Sequence, residues 1–404
     1  MAAQAQPTLT TLYNFTGESD GYHPIAGVVI GSGGVLYGTT YSYGSFTNEG
    51  TAFSLTPPAV AGGAWTQATI QEFTGNNGVY PEGPLVIGSG VLYGTCSVGG
   101  EGGTFDGTAF SLAPPTSPGG AWTGTVLYSF GTGNWGYQPR AAMVIGKSGV
   151  LYGTTSSDPT VYALVPPAAP GGAWTEHNVH IFTGSPSDGA VPYAGVVIGK
   201  DGVLYGTTEN GGSNSGEVRC FPLPRRLTPG GAWTETVLYN FYSYAGDGAE
   251  PYAGVVFNDS GVLYGTTYVG GATDHGTVFS LTPPASPGGV WTETILYSFA
   301  GGSDGANPEA SVVIGRHGVL YGTTNTGGTS NLGTIFSLTP PASPGDSWTE
   351  AVLHSFSGGA DGARPIAPVA IGSGGVLYGN TELGGSYPCG GQNNGCGTVF
   401  SLTP

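Results

Sequence analysis

Apolar residues in this chain come in short runs of three to six, such as Val255-Val256-Phe257, Leu263-Tyr264 and Val278-Phe279-Ser280-Leu281, and Gly or Pro clusters punctuate the gaps between them. Runs this short, rich in β-branched and aromatic residues and bounded by turn formers, predict β-strands; no stretch carries the 3.6-residue period of an amphipathic helix. The strands are apolar on both faces more than they alternate, the pattern of a sheet sandwiched between neighbours.

The pattern repeats. Val-Leu-Tyr-Gly-Thr-Thr or a near copy occurs seven times, with its Leu at 36, 92, 151, 204, 263, 320 and 377, at spacings of 53 to 59 residues. Each unit predicts four strands: a (Val-Val-Ile), b (Leu-Tyr-Gly-Thr-Thr), c (Val-Phe-Ser-Leu) and d (Trp-Thr through Leu-Tyr-Ser-Phe). Turns such as Asp259-Ser260-Gly261 and loops such as Gly270-Gly271 join them. A period of this size in an all-β pattern signals a propeller or a solenoid.

The phase of the ends decides between these. The chain opens on a d strand, Leu9 to Phe15, and closes on a, b and c, ending at Val399-Phe400-Ser401-Leu402. Six Trp-Thr pairs, at Trp65, Trp122, Trp174, Trp233, Trp291 and Trp348, plus the Trp-less first segment make seven d strands. A linear solenoid gains nothing from such a permutation, whereas a ring gains a closed edge. The expectation is therefore an all-β, seven-bladed β-propeller of four-stranded antiparallel blades, its last blade completed by the N-terminal strand. Residues 8–404 form one domain, and residues 1–7 are a disordered tail or the remnant of an export signal, since Ala3-Gln4-Ala5 resembles the small-residue end of one.

The repeat also resembles a known family. Gly-Val-Leu-Tyr-Gly-Thr-Thr with its Gly-Gly loop, Gly-Thr-Val-Phe-Ser-Leu and Trp-Thr-Glu-Thr-Val-Leu-Tyr-Ser-Phe are similar to the GloVer tandem repeat of the "choice-of-anchor" proteins over about residues 8 to 404. The resemblance implies an exported, often surface-attached protein of largely undefined activity, without catalytic residues to carry over. It differs from WD40 in lacking Gly-His and Trp-Asp marks, and its period exceeds that of kelch.

Composition narrows the function. Charged residues are 8% of the chain, and 8 Lys+Arg stand against 25 Asp+Glu, a net charge of −17. A phosphate-tracking groove cannot be built from this, so nucleic acid is excluded as a partner. No apolar run reaches the roughly 18 residues of a transmembrane helix. Cys389 and Cys396 bracket Gly-Gly-Gln-Asn-Asn-Gly and can close a small disulfide loop, while Cys96 and Cys220 are expected as buried free thiols. A disulfide and a surface poor in charge fit a secreted or cell-surface location.

Candidate chemistry is sought on the face carrying the d-to-a and b-to-c loops. The d-to-a loop repeats Asp-Gly-x-x-Pro with Asp20, Asp188, Asp247, Asp304 and Asp361, replaced by Asn77 and Trp135 in two units. The carboxylates either cap their own turns or form a ring that binds a cation or a sugar. Blade 3 breaks the repeat: its b-to-c loop is shortened, and its entry loop carries Trp135, Tyr137 and Arg140. Trp135 and Tyr137, with Tyr80 from blade 2, could stack on a sugar and Arg140 hold an acidic group; alternatively Trp135 covers the gap left by the deletion.

Enzymatic readings rest on less. Gly17-Glu18-Ser19-Asp20-Gly21 and Gly301-Gly302-Ser303-Asp304-Gly305 match Gly-x-Ser-x-Gly but lie in repeat turns with no helix to follow. His177 and His180, three apart in a strand, are expected on opposite faces and so cannot share a metal. His23 and His275 share the loop face with Glu49, Glu101, Glu209 and Glu382, which leaves a polysaccharide lyase or glycoside hydrolase open. Arg219, Arg225 and Arg226 read as a solvated strand end. The leading expectation is a secreted, non-catalytic propeller that needs no cofactor and binds carbohydrate or a surface partner through its loop face; the alternatives are a carbohydrate-active enzyme on that face and a structural, self-associating module.

Overall fold

In the Leu-Tyr-Gly-Thr-Thr strand each residue has a separate packing task, and together these tasks set the architecture. The computed structural model describes residues 6–42, 49–101, 106–117, 119–131, 136–184, 188–211, 218–223 (backbone only), 236–242, 246–286, 288–343, 345–389 and 394–404. Cys220, Arg219, Arg225, Arg226, Trp135 and Trp233 therefore lie outside the described residues or side chains.

The strands form four-stranded antiparallel sheets arranged as a β-propeller. Six sheets are contiguous in sequence; the first contains Val29–Ile30, Leu36–Thr40, Thr51–Thr56 and Thr66–Glu72 in that order. A further four-stranded sheet is composite. Ala370–Ile371, Leu377–Thr381 and Thr398–Thr403 are completed by the N-terminal strand Thr8–Asn14, which pairs antiparallel with the last strand from Thr8↔Thr403 to Asn14↔Thr398. The a strand is shorter than its Val-Val-Ile run predicts, only two residues long in most sheets. Among the described residues no helix is long and apolar enough to cross a membrane.

The Leu of the repeat is buried in every sheet. The Gly leaves room for an aromatic ring of strand c: a Cβ on Gly322 would stand 2.5 Å from Cζ of Phe336, and one on Gly265 2.6 Å from Cζ of Phe279. Such rings meet the Phe that ends the preceding d strand, edge to face in Phe15–Phe53 at 5.2 Å and Phe299–Phe336 at 5.1 Å and tilted in Phe73–Phe110 and Phe356–Phe400. The core is accordingly a set of clusters that straddle neighbouring sheets. One of them unites Phe15 and Val399 from the two chain ends with Leu36, Phe53 and the Cys389–Cys396 disulfide.

The Tyr of the motif reaches the Trp of the next sheet, as in Tyr37–Trp122 and Tyr264–Trp348, and Tyr378 of the composite sheet meets Trp65 of the first. The first Thr donates across the same boundary: Thr95 to the carbonyl of Ala141 (3.1 Å), Thr154 to Ala194 (2.9 Å), Thr207 to Ala253 (2.9 Å), Thr266 to Ala310 (2.9 Å) and Thr323 to Ala367 (3.1 Å). In the composite sheet Asn380 takes this position, and its amide donates to the carbonyl of Pro24 in the first. The second Thr pairs inside its own sheet with the first Thr of strand c, as in Thr40–Thr51 (2.8 Å) and Thr324–Thr334 (2.9 Å). Most of these buried threonine hydroxyls thus find partners within the sheet or across its boundary with the next.

One expectation fails for a local reason. Each fully paired contiguous d strand and the N-terminal strand carry a register shift, between Val161 and Tyr162 on the partner of the strand holding His177 and His180. A strict period of two cannot be counted across a bulge. His177 is exposed, while His180 contacts Asp188 at 3.1 Å.

The d strands also carry a charge anomaly. Glu293 and Glu350 sit half-buried, each with a carboxylate oxygen that has no partner. Burial, then the nearby Asp247, pushes Glu293 up to about 7; burial and Asp304 do the same to Glu350. The folded state thus keeps protons that the unfolded chain releases near pH 4.5. The resulting stabilisation is complete below that pH and is lost as pH rises through about 7. The double variant Glu293→Gln/Glu350→Gln should melt about 2 °C above the parent at pH 8, on the order of 1 kcal/mol per site after allowing for solvent screening, and no higher at pH 4.5. Melting curves at the two pH values check this, and equal gains at both would remove the carboxyl protons as the cause.

Candidate functional site

The loop face is knitted by one motif. The d-to-a loop pairs with the b-to-c loop through short bridges such as Tyr22↔Ser42, Tyr137↔Ser157 and Ala306↔Thr326, so both loops share a face, as the strand order predicts. The Asp of Asp-Gly-x-x-Pro holds this loop to its own d strand. Asp20 accepts from the Tyr13 hydroxyl (2.9 Å) and the Thr16 N–H (2.8 Å), and Asp304 from Tyr297 (2.9 Å) and the Ala300 N–H (2.8 Å). Asp247 repeats this with Tyr239 and Tyr242; in Asp188 and Asp361 a histidine, His180 or His354, replaces the Tyr. Burial opposes the charge on Asp188, yet the Thr183 N–H and His180 hold it below its ordinary range. These five carboxylates are engaged within their own loops, which is the turn-capping arrangement. Among the described residues no three His, Cys, Asp or Glu side chains are placed to share a metal.

What varies lies inward of the capping Asp. The residue before the Pro has positive φ in all seven loops: His23, Tyr80, Gln138, Val191, Glu250, Asn307 and Arg364, at 54° to 58°. A branched residue such as Val191 enters this region only when its surroundings force it. Here the force is a repeated hydrogen bond: the carbonyl of this residue accepts the N–H of the residue following Gly-Thr-Thr, from Tyr41→His23 (2.9 Å) to Glu382→Arg364 (3.0 Å). The residue after the Pro then points to the axis. Ile25, Glu82, Arg140, Tyr193, Tyr252, Glu309 and Ile366 all line a single cavity of about 360 Å³, with the small residues of the a segments below them.

The residues after the seven prolines, variable in identity, are therefore held by a repeated frame around one opening. They fall into distinct sectors. Tyr193, Tyr252 and Tyr268 form an edge-to-face array, with ring centres 5.6 and 5.1 Å apart, and line an adjoining opening of about 330 Å³ with Glu309 and Ile366. Tyr193 is 38% exposed, so part of this aromatic surface faces solvent. The Tyr252 hydroxyl lies between the carboxylates of Glu209 and Glu250, at 3.4 Å from the latter. Beside this array, Glu309 accepts from the Asn325 amide (2.6 Å), Asn325 accepts from Arg364 (2.9 Å), and Arg364 pairs with Glu382 (3.3 Å). Burial pushes Glu309 above its ordinary value against the opposing pull of Asn325 and Arg364. Burial likewise raises Glu209 and lowers His23.

Of the residues singled out from sequence, Arg140 lines this opening; Glu209 and Glu382 lie beside its lining residues Tyr252 and Glu309, and His23 lies near Glu382 and Arg364. Arg140 pairs with Glu82 at 2.9 Å, and the ion pair belongs to the rim. Tyr80 stacks its ring on Tyr41 at 4.5 Å and 14°. Tyr137 is held in its bridge with Ser157, and Trp135 lies outside the described residues. His275 packs against Gly301. Tyr193 and Tyr252 stand at the x of Pro-x-Ala-Gly and Tyr268 follows Gly-Thr-Thr, but nothing in their spacing marks those positions as axial.

The profile of the Gloeobacter/Verrucomicrobia repeat matches residues 2–165 and 159–392. Among curated proteins none matches the chain. Solved structures similar to it include PorZ, a surface component of the type-IX secretion system of Porphyromonas gingivalis, at 12% identity over 96% of this chain and 47% of that one, with a TM-score of 0.53. A putative oxidoreductase (glucose dehydrogenase) of Thermus thermophilus has 14% identity over 98% and 100%, with a TM-score of 0.45. The NanB sialidase of Streptococcus pneumoniae has 11% identity over 97% and 70%, with a TM-score of 0.44. At 12% identity the likeness to PorZ is one of fold.

Proposed function

The chain belongs to the family of the Gloeobacter/Verrucomicrobia repeat, and on that footing we propose that it is a secreted or cell-surface binding protein that takes carbohydrate at the mouth of its central cavity. The observation that carries this is the Tyr193–Tyr252–Tyr268 array, set at positions where the repeat varies and opening onto the axis. Sugars present C–H faces that stack on aromatic rings and hydroxyls that need fixed donors and acceptors. Glu309 and Glu82 supply the latter from the lining of the opening, with Asn325 and Arg364 holding Glu309 from behind. The sugar site is thus read at the fourth to sixth sheets rather than at the third. The buried disulfide fits an oxidising location.

The ring is read as seven blades closed by the N-terminal strand. Three contacts favour this reading: the Thr8–Asn14 ladder, the Asn380–Pro24 bond and the Trp65–Tyr378 contact.

Glycan-array binding followed by calorimetry tests the function, with Tyr252→Ala as the variant. Its affinity should fall about ten-fold, the loss of roughly 1.4 kcal/mol of stacking. No product should appear on incubation with the bound polysaccharide. New reducing ends or unsaturated products would establish the enzymatic alternative, and silence across the array would remove the carbohydrate reading.

A further inference from the structure

The charge around the mouth is unequally distributed, and this bears on which sugars fit. Both arginines of the opening are already engaged: Arg140 with Glu82 at 2.9 Å, and Arg364 with Glu382 at 3.3 Å and with Asn325. Three carboxylates remain, all beside the tyrosine array. Glu209 and Glu250 flank the Tyr252 hydroxyl, and Glu309 lines the opening next to Tyr252 and Tyr268. Among the described residues none of these three forms an ion pair of its own. The aromatic faces and the cavity are what make this a site rather than a cluster of acids: three tyrosine rings and the Glu309 carboxylate converge on one opening of about 330 Å³, and Glu250 stands beside Tyr252 and Tyr268.

Resting on the carbohydrate reading above, we infer that the ligand is an amino sugar whose protonated amine sits over the Tyr193–Tyr252–Tyr268 array between Glu250 and Glu309. An ammonium is attracted to the face of a tyrosine and is strongly favoured by adjacent carboxylates. A uronic or sialic acid would bring a carboxylate toward three others, with no unengaged arginine to receive it. The groups that face Glu309 from its neighbours are Asn325, Arg364, Glu382 and Tyr268. Burial has already raised Glu209 and Glu309, and an incoming cation relieves that by supplying the missing opposite charge.

The test uses the full chain and three tetrasaccharide probes: β-1,4-linked glucosamine, its fully N-acetylated form, and galacturonic acid, titrated at a pH where the amine is protonated. The glucosamine tetramer should bind at least ten-fold more tightly than the acetylated one, and the galacturonate most weakly. The preference should shrink as salt is raised. Glu250→Gln should cut the glucosamine preference about five-fold while leaving binding of the acetylated tetramer unchanged, which also shows that the variant is folded; Glu309→Gln should weaken both tetramers, the glucosamine one the more. Equal binding of the amino and acetylated tetramers, or a preference for galacturonate, overturns the amino-sugar assignment and leaves the carbohydrate reading intact. Binding of none of the three, together with silence on the glycan array, overturns both.

Discussion

Deleting residues 1–15 should lower the melting temperature by about 10 °C or more and drive the protein into concentration-dependent assembly. The physical reason is the number of contacts that this short segment carries. Thr8–Asn14 is the outer strand of the composite sheet, paired from Thr8↔Thr403 to Asn14↔Thr398. Phe15, fully buried, packs on Phe53 of the first sheet and beside the Cys389–Cys396 disulfide. Leu9 packs into the cluster of Phe356, Phe400 and Leu402, and the Thr11 hydroxyl donates to the carbonyl of Ala360. Its removal bares the edge of Thr398–Thr403, a template for pairing with another chain. Thermal unfolding and size-exclusion chromatography read the two effects. A synthetic peptide of residues 6–17 added in trans should restore the melting temperature in proportion to its concentration, as strand addition linked to folding requires. An unchanged melting temperature after deletion would show that this strand is no part of the cooperative unit.

The second large effect belongs to the aromatic ring over the repeat glycine. Phe336→Ala should cost about 3–5 kcal/mol, since the ring is fully buried and its removal leaves a cavity above Gly322. Gly322→Ala should cost about 1–3 kcal/mol for the opposite reason: its Cβ would meet Cζ of Phe336 at 2.5 Å, and the ring cannot retreat because Phe299 stands edge-on 5.1 Å away. Gly322 has no positive φ, so this cost is steric rather than conformational. Combining Gly322→Ala with Phe336→Leu should therefore cost less than the losses of Gly322→Ala alone and Phe336→Leu alone added together. Urea unfolding of these two single variants, the double variant and the parent checks the coupling. Strict additivity would mean that the glycine is kept for some other reason.

Much of the scaffold was legible because its signals are local. The four strands per repeat follow from runs such as Leu-Tyr-Gly-Thr-Thr and Val-Phe-Ser-Leu, which the ladders of every sheet use. The disulfide followed from two cysteines seven residues apart. The bulge in the d strands was not legible, and it removed the face argument for His177 and His180. The site was legible only in part. Arg140, His23, Glu209 and Glu382 were found because charged and titratable residues are scarce in this chain, so each attracts notice. Tyr193, Tyr252 and Tyr268 were passed over because 23 tyrosines occur, many of them repeat residues such as Tyr37 and Tyr264 that pack on tryptophan.

The amino-acid sequence by itself determined the repeat, the strands and the turn chemistry of Asp-Gly-x-x-Pro, since each depends on residues close along the chain. Only the tertiary structure decided which variable positions face one another. The residue after each Pro recurs roughly every 57 residues, too far apart for any pattern to link, and the sheets packed around the axis bring all seven to one cavity. Invariant positions answer to neighbours within a repeat or at its boundary; the variable ones answer to one another only across the ring, and it is there that tyrosines and carboxylates converge.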